Sequence, residues 1–413
     1  MDPYIADWLN LIVRFVHLVT GIAWIGASFY FIWLDNHLEN PPEWKKDTGI
    51  KGDLWAIHGG GFYEVAKYEL APPMLPQTLH WFKWEAYSTW ISGFFLLSLM
   101  YYVGAETYLI DARVRDLSSV QAILMGLGVI FGSWFVYDLL CRSPLAKNAS
   151  LLGIILLCFV AIIAYFLTQN FSARGAYIHV GAVMGTIMAG NVFRVIIPAQ
   201  KALVSAVETG GQPDPAWAAK AKLVSTHNTY LTLPVIFTMM SNHYPMTYNH
   251  SHSWIILVCI ILITAAARQY FVLRHKKVNK PLLLIGAILA TGLLAYLIKP
   301  DRSVTKPPVT NRGDIVVTEM VSTALINNEL SGEVIIRKRC ATCHSETPSD
   351  DIFVIAPNGV VFDTLDDIRK WGPRILARVI DSQDMPLLNK TKMTDAERQF
   401  IGAWLSDLQA IKE

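Results

Sequence analysis

Charge is scarce in this chain. Of its 413 residues only 16% are Asp, Glu, Lys or Arg, while 53% are hydrophobic, and the net charge is +2. That composition is too apolar for an ordinary soluble protein, and its neutrality offers nucleic acid no basic face. Cysteine is also sparse. Of the five, Cys141, Cys158 and Cys259 stand alone, two of them within apolar runs, so no disulfide framework is visible. The first residues carry Asp2 and Asp7 but no Lys or Arg. A cleaved signal peptide has the reverse bias, so the first apolar run is expected to be retained. The glycine-rich run His58-Gly59-Gly60-Gly61-Phe62-Tyr63 lacks the spacing of a phosphate loop. It suits close backbone approach to a ligand or a flexible turn before a membrane-surface helix.

What the chain does have is long apolar runs. Eight are long enough to span a bilayer: about 8–34, 84–104, 119–140, 150–168, 175–198, 223–242, 253–273 and 280–298. The segments after runs one, three, five and seven carry most of the loop Lys and Arg. Those after two, four and six carry only Arg113, Arg115 and Arg174. The positive-inside rule puts the first set in the cytoplasm and both termini outside. Beyond Lys299, a polar stretch with Pro300, Pro307 and Pro308 reads as a linker, and from about 318 the charge density becomes that of a small soluble domain.

That last domain contains Cys340-Ala341-Thr342-Cys343-His344, the attachment spacing of a c-type haem. Cys340 and Cys343 would form thioethers to the haem vinyls, and His344 would ligate the iron. A bare Cys-x-x-Cys also serves as a redox dithiol or half a zinc site. The adjoining His, and the lack of a second Cys pair downstream, favour haem. Met385 is the candidate sixth ligand, since a soft sulfur raises the iron's potential. Met393 is the runner-up, but it precedes a capping box, Thr394 to Glu397, and reads as a packing residue. Haem c is attached on the outer face of the bacterial membrane, which agrees with the charge-derived topology.

Runs one and five align on His17 and His179, each followed by small residues, which suggests two related four-helix halves. Ionisable groups within a bilayer are costly and point to function. On this reading both histidines lie toward the outer side and could hold a b-type haem, with Arg14 pairing a propionate. The bland alternative is hydrogen bonding between closely packed helices. A second cluster falls in the cytoplasmic half: His80, Lys83 and Tyr87; Asn191 and Arg194; His227 and Tyr230; and Arg268. Together these would form a cationic pocket for a planar anion, with Arg194 and Arg268 able to bind in a fork geometry. Taken singly, they read as interfacial side chains.

Arg14-Phe15-Val16-His17 leading into Gly21-Ile22-Ala23-Trp24-Ile25-Gly26-Ala27-Ser28-Phe29-Tyr30, the His58 to Tyr63 segment, Lys83-Trp84-Glu85-Ala86-Tyr87-Ser88-Thr89-Trp90, and the fused haem motif resemble the bacterial membrane-bound, cytochrome c-fused urate oxidases. The resemblance covers essentially the whole chain. It implies oxidation of urate to 5-hydroxyisourate in the bacterial inner membrane. Electrons would pass to the chain's own haem and on to a cytochrome c or terminal oxidase of the respiratory chain, without hydrogen peroxide. The candidate bases are His80, His227 and Glu85. The rival class is a non-enzymatic relay from quinol or a cytochrome to haem c; a third is a carrier or sensor with a redox reporter.

The expected architecture is therefore all-α. An eight-helix transmembrane bundle occupies 1–298, with a cytoplasmic insertion at about 36–79. A linker follows at 299–317, then a small helical, class I-like cytochrome c domain at 318–413 on the periplasmic side.

Overall fold

The computed structural model describes residues 3–276, 278–299, 332–353, 356–357 and 360–410. A helix covers each of the eight apolar runs. These are α1 (Pro3–His37), α2 (Trp84–Leu97, prolonged by a π turn Ser98–Val103), α3 (Ser119–Arg142), α4 (Ala149–Thr168), α5 (Ala173–Asn191), α7 (Pro215–Met240), α8 (Ser253–His275) and α9 (Pro281–Leu297). A π turn, Val192–Ile196, joins α5 to α6 (Ile197–Glu208). Five stretches are long and apolar enough to cross a membrane: Trp8–His37, Ser119–Arg142, Ala149–Thr168, Ala173–Glu208 and Ser253–His275. The other three fall short for visible reasons. The α2 helix is interrupted by its π turn, α7 carries Lys220, Lys222, His227 and Asn228, and α9 has only 17 residues. Exposed Leu139, Ile162, Leu282 and Leu289 give the bundle an apolar exterior, as lipid contact requires.

The core centres on α5. Tyr177, Val180, Val183, Met184 and Ile187 are almost fully buried. The α2, α3, α4 and α7 helices all pack against it. Small residues make this possible. A Cβ on Gly181 would lie 2.3 Å from Thr238 Oγ1 on α7, and one on Gly190 would lie 2.1 Å from Trp134 Nε1 on α3. Without a hydrophobic drive between helices in lipid, such close backbone approach supplies the packing energy.

The all-α expectation fails at one place. Helix makes up 71% of the structure and strand 5%, and the strand is an antiparallel hairpin within the 36–79 insertion. β1 (Ile50–His58) pairs with β2 (Gly61–Tyr68), closing through Gly59 and Gly60 with φ of 57° and 82°. A two-residue Gly-Gly turn between β-prone runs is a hairpin signal, since both central positions need positive φ. Lys45 is buried in ion pairs to Asp53 and Glu64 within the hairpin. Asp35, at the end of α1, accepts Lys67 of β2 at 2.6 Å and Lys222 of α7 at 3.1 Å. The insertion is thus tied to α1 and α7.

The C-terminal part comprises α10 (Gly332–Cys340), α11 (Leu365–Ile375, prolonged by a π turn Leu376–Asp381) and α12 (Asp395–Ala410). Ile336, Ile368, Ile401 and Leu405 form its core. The linker expected at 299–317 lies, beyond Lys299, outside the described residues, as does 318–331.

The α5 packing makes a prediction. Gly181→Val forces α5 and α7 apart and should cost about 1–3 kcal/mol, the usual penalty of overpacking. Gly185, with nothing within 4 Å of its would-be Cβ, should tolerate the same change. Thermal unfolding in detergent measures both. Equal losses at the two positions would contradict this packing.

Candidate functional site

Of the cytoplasmic-half cluster expected from sequence, the structure brings together Lys83, Tyr87 and Arg194. They line a cleft between α2, α3 and α5. Trp84, Tyr87 and Trp90 come from α2, Phe131, Trp134 and Phe135 from α3, and Thr186, Gly190 and Phe193 from α5 and its π turn. The cleft encloses about 480 Å³. A second hollow, sharing Tyr87, Phe193 and Arg194, continues it to a mouth of Lys83, Arg142 and Lys201. One hollow is thus aromatic and the adjoining one cationic.

Local structure fixes the walls. The π turn after Asn191 inserts an extra residue into the helix, a device common at functional sites, and it carries Phe193 and Arg194. Gly190 lets the Trp134 indole lie against the α5 backbone. The Trp134 Nε1 is buried with no hydrogen-bond partner among the described residues, and it is turned onto Gly190, where a Cβ would lie 2.1 Å from it. The Arg194 guanidinium lies 5.7 Å from the Trp134 ring centre. Trp90 Nε1 donates to Thr186 Oγ1 at 3.0 Å. A planar anion suits this arrangement, with rings to stack on and a guanidinium beside them to neutralise it.

Other sequence-derived candidates lie elsewhere. His80 is exposed ahead of α2, and Glu85 is half-buried on it; neither lines the cleft. His227 belongs to a polar network one turn along α3 from Trp134. Its Nδ1 meets Tyr137 Oη at 2.7 Å, and Asn191 donates to both Tyr137 Oη and Asn228 Oδ1 at 2.9 Å. Arg268 is buried on α8 with its guanidinium 4.0 Å from the Phe29 ring centre. Its Nε and Nη2 have no hydrogen-bond partner among the described residues. Arg194 and Arg268 therefore do not form one clamp.

The expectation of a shared b-type haem at His17 and His179 meets a depth mismatch. On α2, Thr89 and Ser92 hold His17 Nδ1 at 3.0 and 3.2 Å, and Trp90 reaches Thr186 of α5. His17 is therefore level with Thr186, seven residues inward of His179, or about 10 Å at the helical rise. Asn10, which donates to Met100 Sδ at 3.0 Å, is nearer the level of His179, whose ring meets those of Tyr101 and Tyr102. His17 faces Gly93, while His179 Nε2 faces Gly126. The residues do not fit one haem ligated by both histidines. Arg14 instead bonds Asn10 Oδ1 on its own helix.

The Cys-x-x-Cys-His motif lies among the described residues. Cys340, buried at the end of α10, and Cys343, half-buried in the following turn, are both free thiols. Burial pushes the Cys340 pKa up to about 12 and that of Cys343 up to about 11. Redox dithiols have a depressed thiol pKa, so this pair does not resemble one. Among the described residues no cluster of three or more His, Cys, Asp or Glu forms a metal site. His344 Nδ1 lies 2.9 Å from Val360 O, a carbonyl acceptor that leaves Nε2 as the ligating nitrogen. Burial lowers its pKa, and Arg374 and Arg378 lower it further, keeping the ring neutral. The two thiols and His344 thus fit a covalently attached haem. Met385 packs at the margin of the small core, while Met393 is buried inside it, with its N and O both bonded to the Asn389 side chain. The capping box forms: Thr394 N donates to Glu397 at 2.7 Å and Glu397 N to Thr394 Oγ1 at 3.2 Å.

Sequence reading missed Trp134, Gly190 and Phe193. A glycine followed by Asn191 inside an apolar run was the available hint. That Gly190 faces Trp134 is long-range information.

Two outcomes follow. Gly190→Ala should displace the Trp134 indole and weaken ligand binding at least tenfold while the protein stays inserted; tryptophan fluorescence and ligand titration read this. Cys340→Ala should abolish covalent haem staining in protein matured with haem-attachment machinery, and a stain of unchanged intensity would refute the attachment site.

The family model described as urate oxidase N-terminal matches residues 3–299. No curated protein and no solved structure matches the chain.

Proposed function

The chain belongs to the urate oxidase N-terminal family, and on that premise we propose that it is an integral membrane urate oxidase that yields 5-hydroxyisourate and delivers electrons to its own C-terminal haem c. The observation that carries the substrate site is an aromatic cleft with the Arg194 guanidinium beside the Trp134 ring and Lys83, Arg142 and Lys201 in the adjoining hollow.

Urate is planar and carries one negative charge at neutral pH. Lys83, Arg142 and Lys201 at the mouth attract it. In the cleft, Tyr87, Trp90 and Phe193 offer faces to stack on, and Arg194 balances the charge. The bilayer and the apolar walls keep bulk water out, so each polar contact is strengthened. The reaction is the urate monoanion plus water giving neutral 5-hydroxyisourate, one proton and two electrons. His227 is the proposed proton acceptor. Its link through Tyr137 to Asn191, the neighbour of Gly190, joins it to the cleft wall. A c-type haem held by Cys340, Cys343, His344 and Met385 supplies one-electron acceptance, and a respiratory cytochrome c or terminal oxidase receives the electrons onward. In this reading the cytoplasm holds the 36–79 insertion and the cleft mouth, and the haem domain lies on the periplasmic side.

Steady-state kinetics test the cleft. Arg194→Lys keeps the charge but loses the planar fork. It should raise KM for urate about tenfold, or about 1.4 kcal/mol, with a smaller change in kcat. His227→Gln should instead lower kcat and flatten the acidic limb of the pH profile. With oxidised cytochrome c and no oxygen, urate consumption should continue. Peroxide formed one-for-one with urate would overturn the proposal.

A further inference from the structure

We infer that the loop bearing Met385 is seated on the outer end of the transmembrane bundle by Asn249, with Arg174 beneath it, so that membrane residues position the candidate haem ligand. Asn249, just after the short helix Pro245–Tyr248, donates its side-chain N–H to Ser382 O at 2.7 Å. Ser382 Oγ in turn bonds Asp384, whose other oxygen pairs with Arg378. Met385 N donates to Arg378 O at 3.2 Å, and Arg398 Nη1 donates to Met385 O at 2.7 Å. Ser382 is also bonded within its own domain, its N donating to Ala377 O at 3.0 Å, and its carbonyl is the group that the bundle holds. Beside this contact, the short helix Ala105–Tyr108 packs against the Leu387–Asn389 turn that follows Met385.

The seat is built, not incidental. Arg174 Nε donates to Tyr101 Oη at 3.2 Å and to Asn242 Oδ1 at 3.1 Å, and its guanidinium lies 5.2 Å from the Tyr108 ring centre. The same guanidinium is within electrostatic reach of Asp384, which is buried at the seam. Tyr101 also meets the ring of His179 edge-on, with centres 6.0 Å apart. An aromatic and polar column thus runs from the buried interior of α5 to the Ser382–Met385 loop. Asn249, Arg174 and Tyr101 are positioning residues here, since they act on Met385 through Ser382 and Asp384. The inference rests on the proposed haem c role of Met385, but the seam itself is independent of the substrate.

The test uses full-length, haem-loaded protein in detergent. Asn249→Ala should weaken the methionine-to-iron absorption band and lower the haem midpoint potential, because sulfur ligation loosens. A merely structural surface asparagine would leave both unchanged, and that result would overturn the inference. In a second arm, Asn249→Cys with Ser382→Cys is combined with a protease site inserted between 300 and 331. Mild oxidation followed by cleavage should leave the two halves as one species that reductant separates. The control Asn148→Cys with Ser382→Cys, from the opposite end of the bundle, should fall apart. Halves that separate equally in both would overturn the seam. Absence of covalent haem in wild-type protein would instead remove the cytochrome reading, while the crosslink would still decide the seam.

Discussion

The architecture depends on how closely helices can approach α5. In a bilayer, apolar burial between helices gains little, because lipid is as apolar as leucine. What remains is van der Waals fit, and α5 provides it with Gly181 against Thr238 and Gly190 against Trp134. Because α2, α3, α4 and α7 all converge on this one helix, every candidate functional group takes its position from it. The cleft lies on the α2–α3 side, the His227 network on the α3–α7 side, and the column to Met385 at the outer end.

The same constraint explains where polarity is tolerated. Tyr137, Asn191, Asn228 and His227 satisfy one another within the bundle, as groups removed from water must. The exceptions are informative. Trp134 Nε1, His179 Nε2, Tyr102 Oη, and two nitrogens of Arg268 are buried without partners among the described residues. Trp134 is the one of these that lines the cleft, and its N–H is packed against Gly190 of α5. Arg268 instead rests on the face of Phe29, a cation–π contact that offsets part of its desolvation.

Helix positions were largely legible in the sequence, because the length of an apolar run is a local property and every run is helical. The Cys-x-x-Cys-His motif is local too, being five consecutive residues. The hairpin also has a local signal, since Gly59-Gly60 between Ile50–His58 and Gly61–Tyr68 carries the turn chemistry. What sequence could not give was register between helices. Alignment of His17 with His179 implied equal depth, whereas α2 shows them on different levels, with His17 beside Thr89 and His179 beside Tyr101. Arg194 and Arg268 each looked like half of a clamp, yet one lies on the π turn after α5 and the other against Phe29. Lys83, Tyr87 and Arg194 did converge, because the spans that carry them pack directly together.

The central claim is that urate bound in the α2–α3–α5 cleft delivers its electrons to a haem in the same chain. The most direct measurement is an anaerobic optical spectrum of the purified, oxidised full-length protein before and after urate is added, with no other donor or acceptor present. The claim predicts that reduced c-type haem bands appear, and that they fail to appear in the Gly190→Ala variant despite intact covalent haem. Haem that stays oxidised in wild-type protein under urate, while dithionite reduces it fully, would contradict the claim.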